Sequence, residues 1–270
     1  LCLYGAPHGS ARTREFRVYA AERQQRIMAQ ARQAGRVEVI TLAEELGVAT
    51  ETIRRDLTAL EQRGTLRRVH GGAIPVERLE LEPTLATRAT RLTDEKRRIA
   101  ARALDHLPRE GTVLLDAGST TQAIVEMLPP DADLTIVTNS IAAAAVLTSH
   151  PGVQLFLIGG RVRGVTGASV GAWATDALAD LVVDLAVMGT NGFSVARGLT
   201  TPDQSESLVK KAMVAAARRT VVVSDSTKAG DDHMHRFAAF ADIDVLITDA
   251  NLDDGVASEI RSAGPEVVLA

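Results

Sequence analysis

Thr50 to Gly72 reads TETIRRDLTALEQRGTLRRVHGG, and its pattern changes halfway through. Ile53, Leu57 and Leu60 recur at i, i+4 and i+7, which places them on one buried face of a helix. Arg54 and Arg55 fall off that stripe and are free to meet a partner. Gly64 is placed to end the helix, where a positive φ costs little. Leu66 to His70 is short and β-prone, carries Arg67 and Arg68 side by side, and runs into the turn-forming pair Gly71-Gly72. A helix with a paired arginine face beside an arginine-bearing hairpin suits duplex DNA, whose closely spaced phosphates reward several cations at once.

Working outward toward the N-terminus, Tyr19 to Ala34 reads as a helix with an apolar stripe of Ile27, Ala31 and Ala34, stopped by Gly35. Val37 to Ile40 reads as a short β-prone bridge. Thr41-Leu42-Ala43-Glu44 has the T-x-x-E form of a capping box, with Thr41 expected as N-cap. Leu42, Leu46 and Val48 supply core contacts around a turn at Gly47, and Thr50 is expected to cap the next helix. Helix, capped helix, turn, helix, hairpin is the order of a winged helix-turn-helix. A solvated surface is the common fate of paired arginines. Here the capped partner helix and the basic hairpin favour DNA contact by Thr41, Thr50, Thr52, Arg54, Arg55, Arg67, Arg68 and His70.

Charge supports the division. Residues 1–91 carry 15 arginines against 11 carboxylates, while residues 92–270 carry 15 cations against 23 carboxylates, so a net charge of −4 hides a basic N-terminal third. All four lysines (Lys96, Lys210, Lys211 and Lys228) lie in the acidic part. Cys2 is the only cysteine, which excludes a disulfide framework and Cys-rich zinc sites. Aromatic residues make up 3% of the chain, too few for a single-strand stacking platform. The longest apolar run, Ile141 to Leu147, is too short to span a bilayer, so a soluble, cytoplasmic protein is expected. Residues 1–18 read as a disordered extension, with Val18 a candidate alternative start, residues 19–74 as the DNA-binding domain, and residues 75–91 as a linker containing Pro75 and Pro83.

From Thr93, a candidate cap for a helix reaching about Leu107, residues 92–270 read as a second domain in which strands alternate with helices. The strands are Thr112–Asp116, Leu134–Thr138, Val153–Ile158, Asp184–Gly189, Thr220–Asp225 and Asp244–Thr248. The helices between them are Thr121–Leu128, Ile141–Ser149, Trp173–Leu181 and Ser205–Arg218. Runs such as TVVVS imply burial on both faces, hence an α/β fold with a mostly parallel sheet. Ligands of such sheets sit beyond the C-terminal strand ends.

Asp116-Ala-Gly-Ser-Thr-Thr fits that place. Gly118 permits close approach, and Ser119, Thr120 and Thr121 offer hydroxyls and amides at a helix start. An ordinary capped βα turn would look similar. However, Asn139 and Ser140, Gly159-Gly160-Arg161, Asn191, and Asp225 with Lys228 end four further strands in polar groups, and five such ends on one edge favour a pocket. Glu206 and Lys210 form an i, i+4 pair. Beyond a surface ion pair, this arrangement can set Lys210 on a phosphate with Glu206 or Asp203 on sugar hydroxyls. His233 and His235 read as loop residues; neither a metal site nor a cofactor motif is found, for Walker and GxGxxG loops are missing.

These motifs together resemble the DeoR/GlpR family of bacterial transcriptional repressors. Tyr19 to Gln24 (YAAERQ), Leu42 to Val48 (LAEELGV), Thr52 to Leu57 (TIRRDL), Leu60-Glu61 and Arg68 to Ala73 (RVHGGA) match its DNA-binding domain. DAGSTT, IVTNS, LIGGRVR, GTNGF and DSTKAG are similar to its effector domain, so the likeness runs from Tyr19 to the C-terminus. The resemblance implies an effector-domain fold like ribose-5-phosphate isomerase and glucosamine-6-phosphate deaminase. It also implies a homo-oligomer, dimer or tetramer, released from operator DNA by a phosphorylated sugar. Tyr19 onward, Gly189–Asn191 and Ser224–Lys228 look closest to members serving fructose and other phosphotransferase-system sugars, which points to fructose 1-phosphate. The rival expectation is an active sugar-phosphate isomerase or deaminase using Asp116, Glu206 and Asp225 as acid and base.

Overall fold

A computed structural model describes residues 20–62, 65–69, 71–75 and 82–270; Val18, Tyr19, Gly64 and His70, each given a role by the sequence, lie outside the described residues. The chain divides into two units, Leu1–Arg78 and Leu79–Ala270.

In the first unit, helices α1 (Ala20–Ala34), α2 (Val39–Leu46) and α3 (Thr50–Gln62) pack with a small antiparallel sheet. That sheet has strands β1 (Val37–Glu38), β2 (Leu66–Val69) and β3 (Gly72–Pro75), with β3 in the middle. Ile53, Leu57 and Leu60 are buried as their spacing requires, against Ile27, Ala31, Leu42, Leu66 and Ala73. Ala34, expected on the stripe, is exposed. Gly47 closes α2 at φ 62°, a left-handed turn that suits glycine. A Cβ at Gly72 would come 1.9 Å from the Val37 carbonyl oxygen, so only glycine lets β1 and β3 pair there.

Two cap assignments change. Helix α2 begins at Val39, two residues before Thr41, after a Glu38 cap position whose side chain makes no capping bond. The buried Val39 donates its N–H to the Gly71 carbonyl (2.9 Å), so a tertiary contact sets the start and Thr41 is left as an exposed helical residue. Similarly, Thr50 is the first helical residue of α3 rather than its cap, because the Ala49 carbonyl already accepts from Ile53 N–H.

The second unit opens with α4 (Leu85–Ala89) and α5 (Thr93–Leu104). From Glu82 onward, therefore, the segment expected as linker is folded onto this unit; Thr84 caps α4, and Leu85 N–H donates to Val165 O at 2.8 Å. Thr93 is again the first helical residue, preceded by Leu92 at φ 50°.

Seven parallel strands come next. They are β4 (Glu110–Leu115), β5 (Asp133–Thr138), β6 (Val153–Leu157), β9 (Leu185–Gly189), β12 (Thr220–Val223), β14 (Val245–Thr248) and β15 (Glu266–Leu269), in the spatial order β15-β14-β12-β9-β4-β5-β6. Helices α6 (Ser119–Glu126), α7 (Ile141–Leu147), α8 (Ala172–Ala179), α9 (Gln204–Ala216) and α10 (Asp254–Ser262) connect or flank them. Val222 faces one apolar core and its neighbours Val221 and Val223 the other, which is why TVVV has no polar alternation. The seventh strand, α10, the hairpin β7–β8 (Arg161–Arg163, Ala168–Val170) and the antiparallel sheet β10 (Gly192–Ser194), β11 (Gly198–Thr201) and β13 (His235–Ala238) were not anticipated. Among the described residues no helix is long and apolar enough to cross a membrane.

Strand order creates the place where a ligand can bind. Strand β4 enters the middle of the sheet; the chain winds outward through β5 and β6, then returns to β9 on the other side of β4 and winds outward again. The crevice between the ends of β4 and β9 is thus the topological switch point, where such sheets bind ligands.

Candidate functional sites: an arginine-lined helix face and a cationic crevice

On the first unit, Arg54 and Arg55 are exposed on α3 and share Glu51, at 3.4 and 3.9 Å. Surface pairs of this length are weak, so both side chains can turn to phosphates or bases. Arg68 lines the same shallow groove as Arg54 and Arg55; its guanidinium donates to Thr58 Oγ1 (3.2 Å) and its backbone N–H to Glu61 Oε1 (2.9 Å), tying the wing to the helix. Thr50, Thr52 and Arg67 are half-buried, and His70 lies outside the described residues. The sequence reading missed Asp56, which is buried under α3. It accepts from Arg23 Nε at 2.5 Å and Gln24 Nε2 at 3.0 Å, bonding α3 to α1.

On the second unit, a crevice opens at the switch point. It is lined by Gly118, Ser119, Thr120 and Thr121 after β4, by Gly189 and Asn191 after β9, and by Asp225 and Lys228 after β12, with Glu206 and Lys210 from α9 beside them. The first amides of α6 have no partner within the helix and face this space. Asp116, 2% exposed, accepts from Gly189 N–H at 3.0 Å and forms an ion pair with Lys210, itself 4% exposed. Lys210 also donates to Gly189 O (3.0 Å), so its charge is already engaged. Burial pushes the Asp116 carboxyl above its ordinary range, opposed by Lys210 and the Gly189 N–H.

Other expected residues do not converge on the crevice. Asn139 braces the loop, accepting from Ala117 N–H (3.1 Å) and donating to Ser169 O, and Ser140 caps α7 through Ala143 N–H (3.2 Å). Gly159, Gly160 and Arg161 come after the edge strand β6, two strands from β4, and Arg161 is exposed against Ser205 (3.3 Å). The crevice therefore draws on three strand ends rather than five. Asp203 caps α9 (Glu206 N–H, 2.9 Å) and pairs with Arg163 (3.2 Å). Glu206 accepts from Thr166 (2.5 Å), Thr201 (3.4 Å) and Arg163 (3.3 Å). His233 lies against the Asn191 carbonyl (3.2 Å).

The segment read as linker supplies what the sequence reading lacked. Arg88, Arg91 and Lys96 line the crevice. Glu82 bonds Asn191 Nδ2 (2.8 Å) and pairs with Arg163. Lys96 is buried and donates to the carbonyls of Arg88 and Arg91. Burial lowers its pKa from the ordinary value, with Lys228, Arg88 and Arg91 adding to that and Asp225 opposing it. Nothing in the composition of 75–91 marked Glu82, Arg88 and Arg91, and Lys96 reads in sequence only as part of the helix that follows; their role depends on the chain folding back on the sheet.

Comparison with known proteins agrees with both halves. Residues 23–78 match the model of a DeoR-like helix-turn-helix domain, and residues 91–250 that of the DeoR C-terminal sensor domain. The chain is 38% identical over 248 residues to an HTH-type transcriptional regulator, GlpR, of Haloferax volcanii, covering 92% of this chain and 97% of that protein. It is 31% identical to a putative aga operon transcriptional repressor of Escherichia coli O157:H7, over 92% and 93% of the two chains. Among solved structures it is similar to ribose 5-phosphate isomerase A of Methanocaldococcus jannaschii, with a TM-score of 0.38 and 17% identity over 51% of this chain and 54% of that one.

Proposed function

The chain belongs to the DeoR family of transcriptional regulators, and from that premise we propose that it represses a sugar-utilisation operon and releases it when a phosphorylated sugar fills the crevice. The carrying observation is the cationic crevice itself. In a structural unit that is acidic overall, with 17 Lys and Arg against 25 Asp and Glu in residues 79–270, Arg88, Arg91, Lys96, Lys210 and Lys228 line one switch-point cavity beside a helix start. Fructose 1-phosphate is the first effector to test. In this reading Glu206 and Asp225, which line the crevice, accept sugar hydroxyls, and Asp116, paired with Lys210, orients the loop.

These carboxylates are engaged by Arg163, Thr166, Thr227 and Lys210. Such engagement supports binding without turnover rather than acid–base catalysis, and so a regulator that is not an enzyme. A cytoplasmic homo-oligomer then presents two α3 helices to half-sites one DNA turn apart, and effector and operator weaken each other reciprocally.

Operator titration with and without fructose 1-phosphate, fructose 6-phosphate and glycerol 3-phosphate tests this. Affinity unchanged by any of them would overturn the effector class, and NMR detection of isomerised or deaminated product would overturn the non-catalytic reading. Arg54→Ala is expected to weaken operator binding by roughly 1–3 kcal/mol if Arg54 reads a base edge. An unchanged gel-shift midpoint would remove it from the interface.

A further inference from the structure

We propose that the effector's phosphoryl group is gripped by Arg88, in α4 near the start of the second unit, and that this grip draws Arg88 away from Glu82. The inference rests on the reading that the crevice takes a phosphorylated sugar, and it assigns the anion to Arg88 rather than to Lys210.

Among the described residues Arg88 is the only crevice cation with buried side-chain donors that lack a hydrogen-bond partner. Its Nε and Nη2 are buried without a hydrogen-bond partner, and Nη1 is 3.9 Å from Glu82 Oε1, too long for a hydrogen bond. A guanidinium has five donors in a fixed fork, and burying them unpaired is costly unless an anion arrives to accept them. Phosphate matches that fork in charge and geometry. Lys210 differs in being bonded already to Asp116 and Gly189.

The surroundings of Arg88 have the same character. Lys96 ties the carbonyls of Arg88 and Arg91 together, which shapes the turn, and Lys228 and Ser119–Thr121 line the same crevice. Leu92, also on the rim, is the only non-glycine among the described residues at positive φ (50°). Backbone held in that region clusters at ligand clamps and switches.

The exit route for the signal runs through Glu82. Its carboxylate is held by Arg163 and Asn191 with Arg88 nearby. A phosphate dianion at Arg88 sets a second negative charge beside Glu82 and loosens that hold. In sequence, Glu82 is seven positions beyond Pro75, the end of the last strand of the DNA-binding unit.

The test uses the full chain with inorganic phosphate and fructose 1-phosphate as separate probes in calorimetric titrations, alongside thermal melts that confirm folding. Arg88→Met is expected to weaken both by about tenfold or more, with Arg88→Lys in between, because the fork is lost before the charge. Glu82→Gln, relieved of the repulsion, is expected to bind inorganic phosphate about threefold more tightly. Wild-type affinity in Arg88→Met overturns the proposal. So does weaker phosphate binding in a folded Glu82→Gln, which is what a merely structural role would produce. Wild-type protein that ignores inorganic phosphate also overturns it, while an operator response to a sugar phosphate in that same protein would leave the functional reading standing. Conversely, phosphate binding lost in Arg88→Met together with operator affinity indifferent to every sugar phosphate supports the subsite and counts against the functional reading.

Discussion

Asp56→Ala is expected to destabilise the DNA-binding unit by about 3–5 kcal/mol, through loss of two charge-assisted hydrogen bonds to a buried carboxylate, each worth about 1.5–3 kcal/mol. Arg23 and Gln24 would both lose this acceptor on the buried face of α3, beside the core that Ile53 and Leu57 help form. A unit this small has a total stability of about 5–10 kcal/mol, so the loss should leave operator binding strongly impaired at physiological temperature. Asp56 is buried with α3's arginines on the opposite, exposed side, so the failure would come through the fold rather than through a lost DNA contact. Hydrogen exchange in the full chain separates these. Amides of Ile53, Leu57 and Leu60 should lose protection while those of β4 and β12 keep theirs. The paired replacement Arg23→Met with Asp56→Leu should recover most of the stability, since an apolar pair needs no desolvated charges. Unchanged α3 protection in Asp56→Ala would show the pair to be dispensable.

Lys210→Met is expected to have the second large effect, and a pH-dependent one. It leaves the Asp116 carboxylate buried with only the Gly189 N–H to stabilise its charge, again at about 3–5 kcal/mol near neutrality. Burial already raises the Asp116 pKa, and losing Lys210 raises it further. The native variant therefore holds a proton at pH values where the unfolded chain has released it. The stability associated with that proton is complete below the ordinary carboxylate value of 3.8 and is lost as pH rises through the folded-state value. Melting temperatures of wild type and variant should accordingly converge in acid and diverge toward neutral pH. Asp116→Asn in the Lys210→Met background should close the gap. A difference that stays constant with pH would mean that Asp116 does not carry the uncompensated charge. At a temperature where the variant is folded, operator binding should persist while the response to sugar phosphate fails, because Lys210 lies on the second unit, in the crevice.

The sequence by itself determined what depends on local spacing. The i, i+4, i+7 stripe of Ile53, Leu57 and Leu60 requires a helix, and unbroken apolar runs such as TVVV require strands covered on both faces. Small polar residues at the strand ends mark a candidate binding edge, and the excess of arginine over carboxylate in residues 1–91 marks the candidate DNA-facing part. Those signals are legible because each needs only neighbours within one element.

Tertiary structure alone decided which of the strand ends meet. The order β12-β9-β4-β5-β6 brings Gly118, Gly189 and Asp225 to one crevice and carries Gly159–Arg161 to the sheet edge. It also moved the start of α2 to Val39 through a bond to Gly71, overriding the T-x-x-E pattern at Thr41. Most of all, it turned part of an apparent linker into a wall of the site. Glu82 and Arg88 in that segment, and Lys96 in the helix after it, look like ordinary surface charges in sequence, and they acquire their chemistry only by being packed against groups up to 109 positions away. Burial and charge pairing are properties of the assembled fold, and no periodicity within residues 82–96 encodes them.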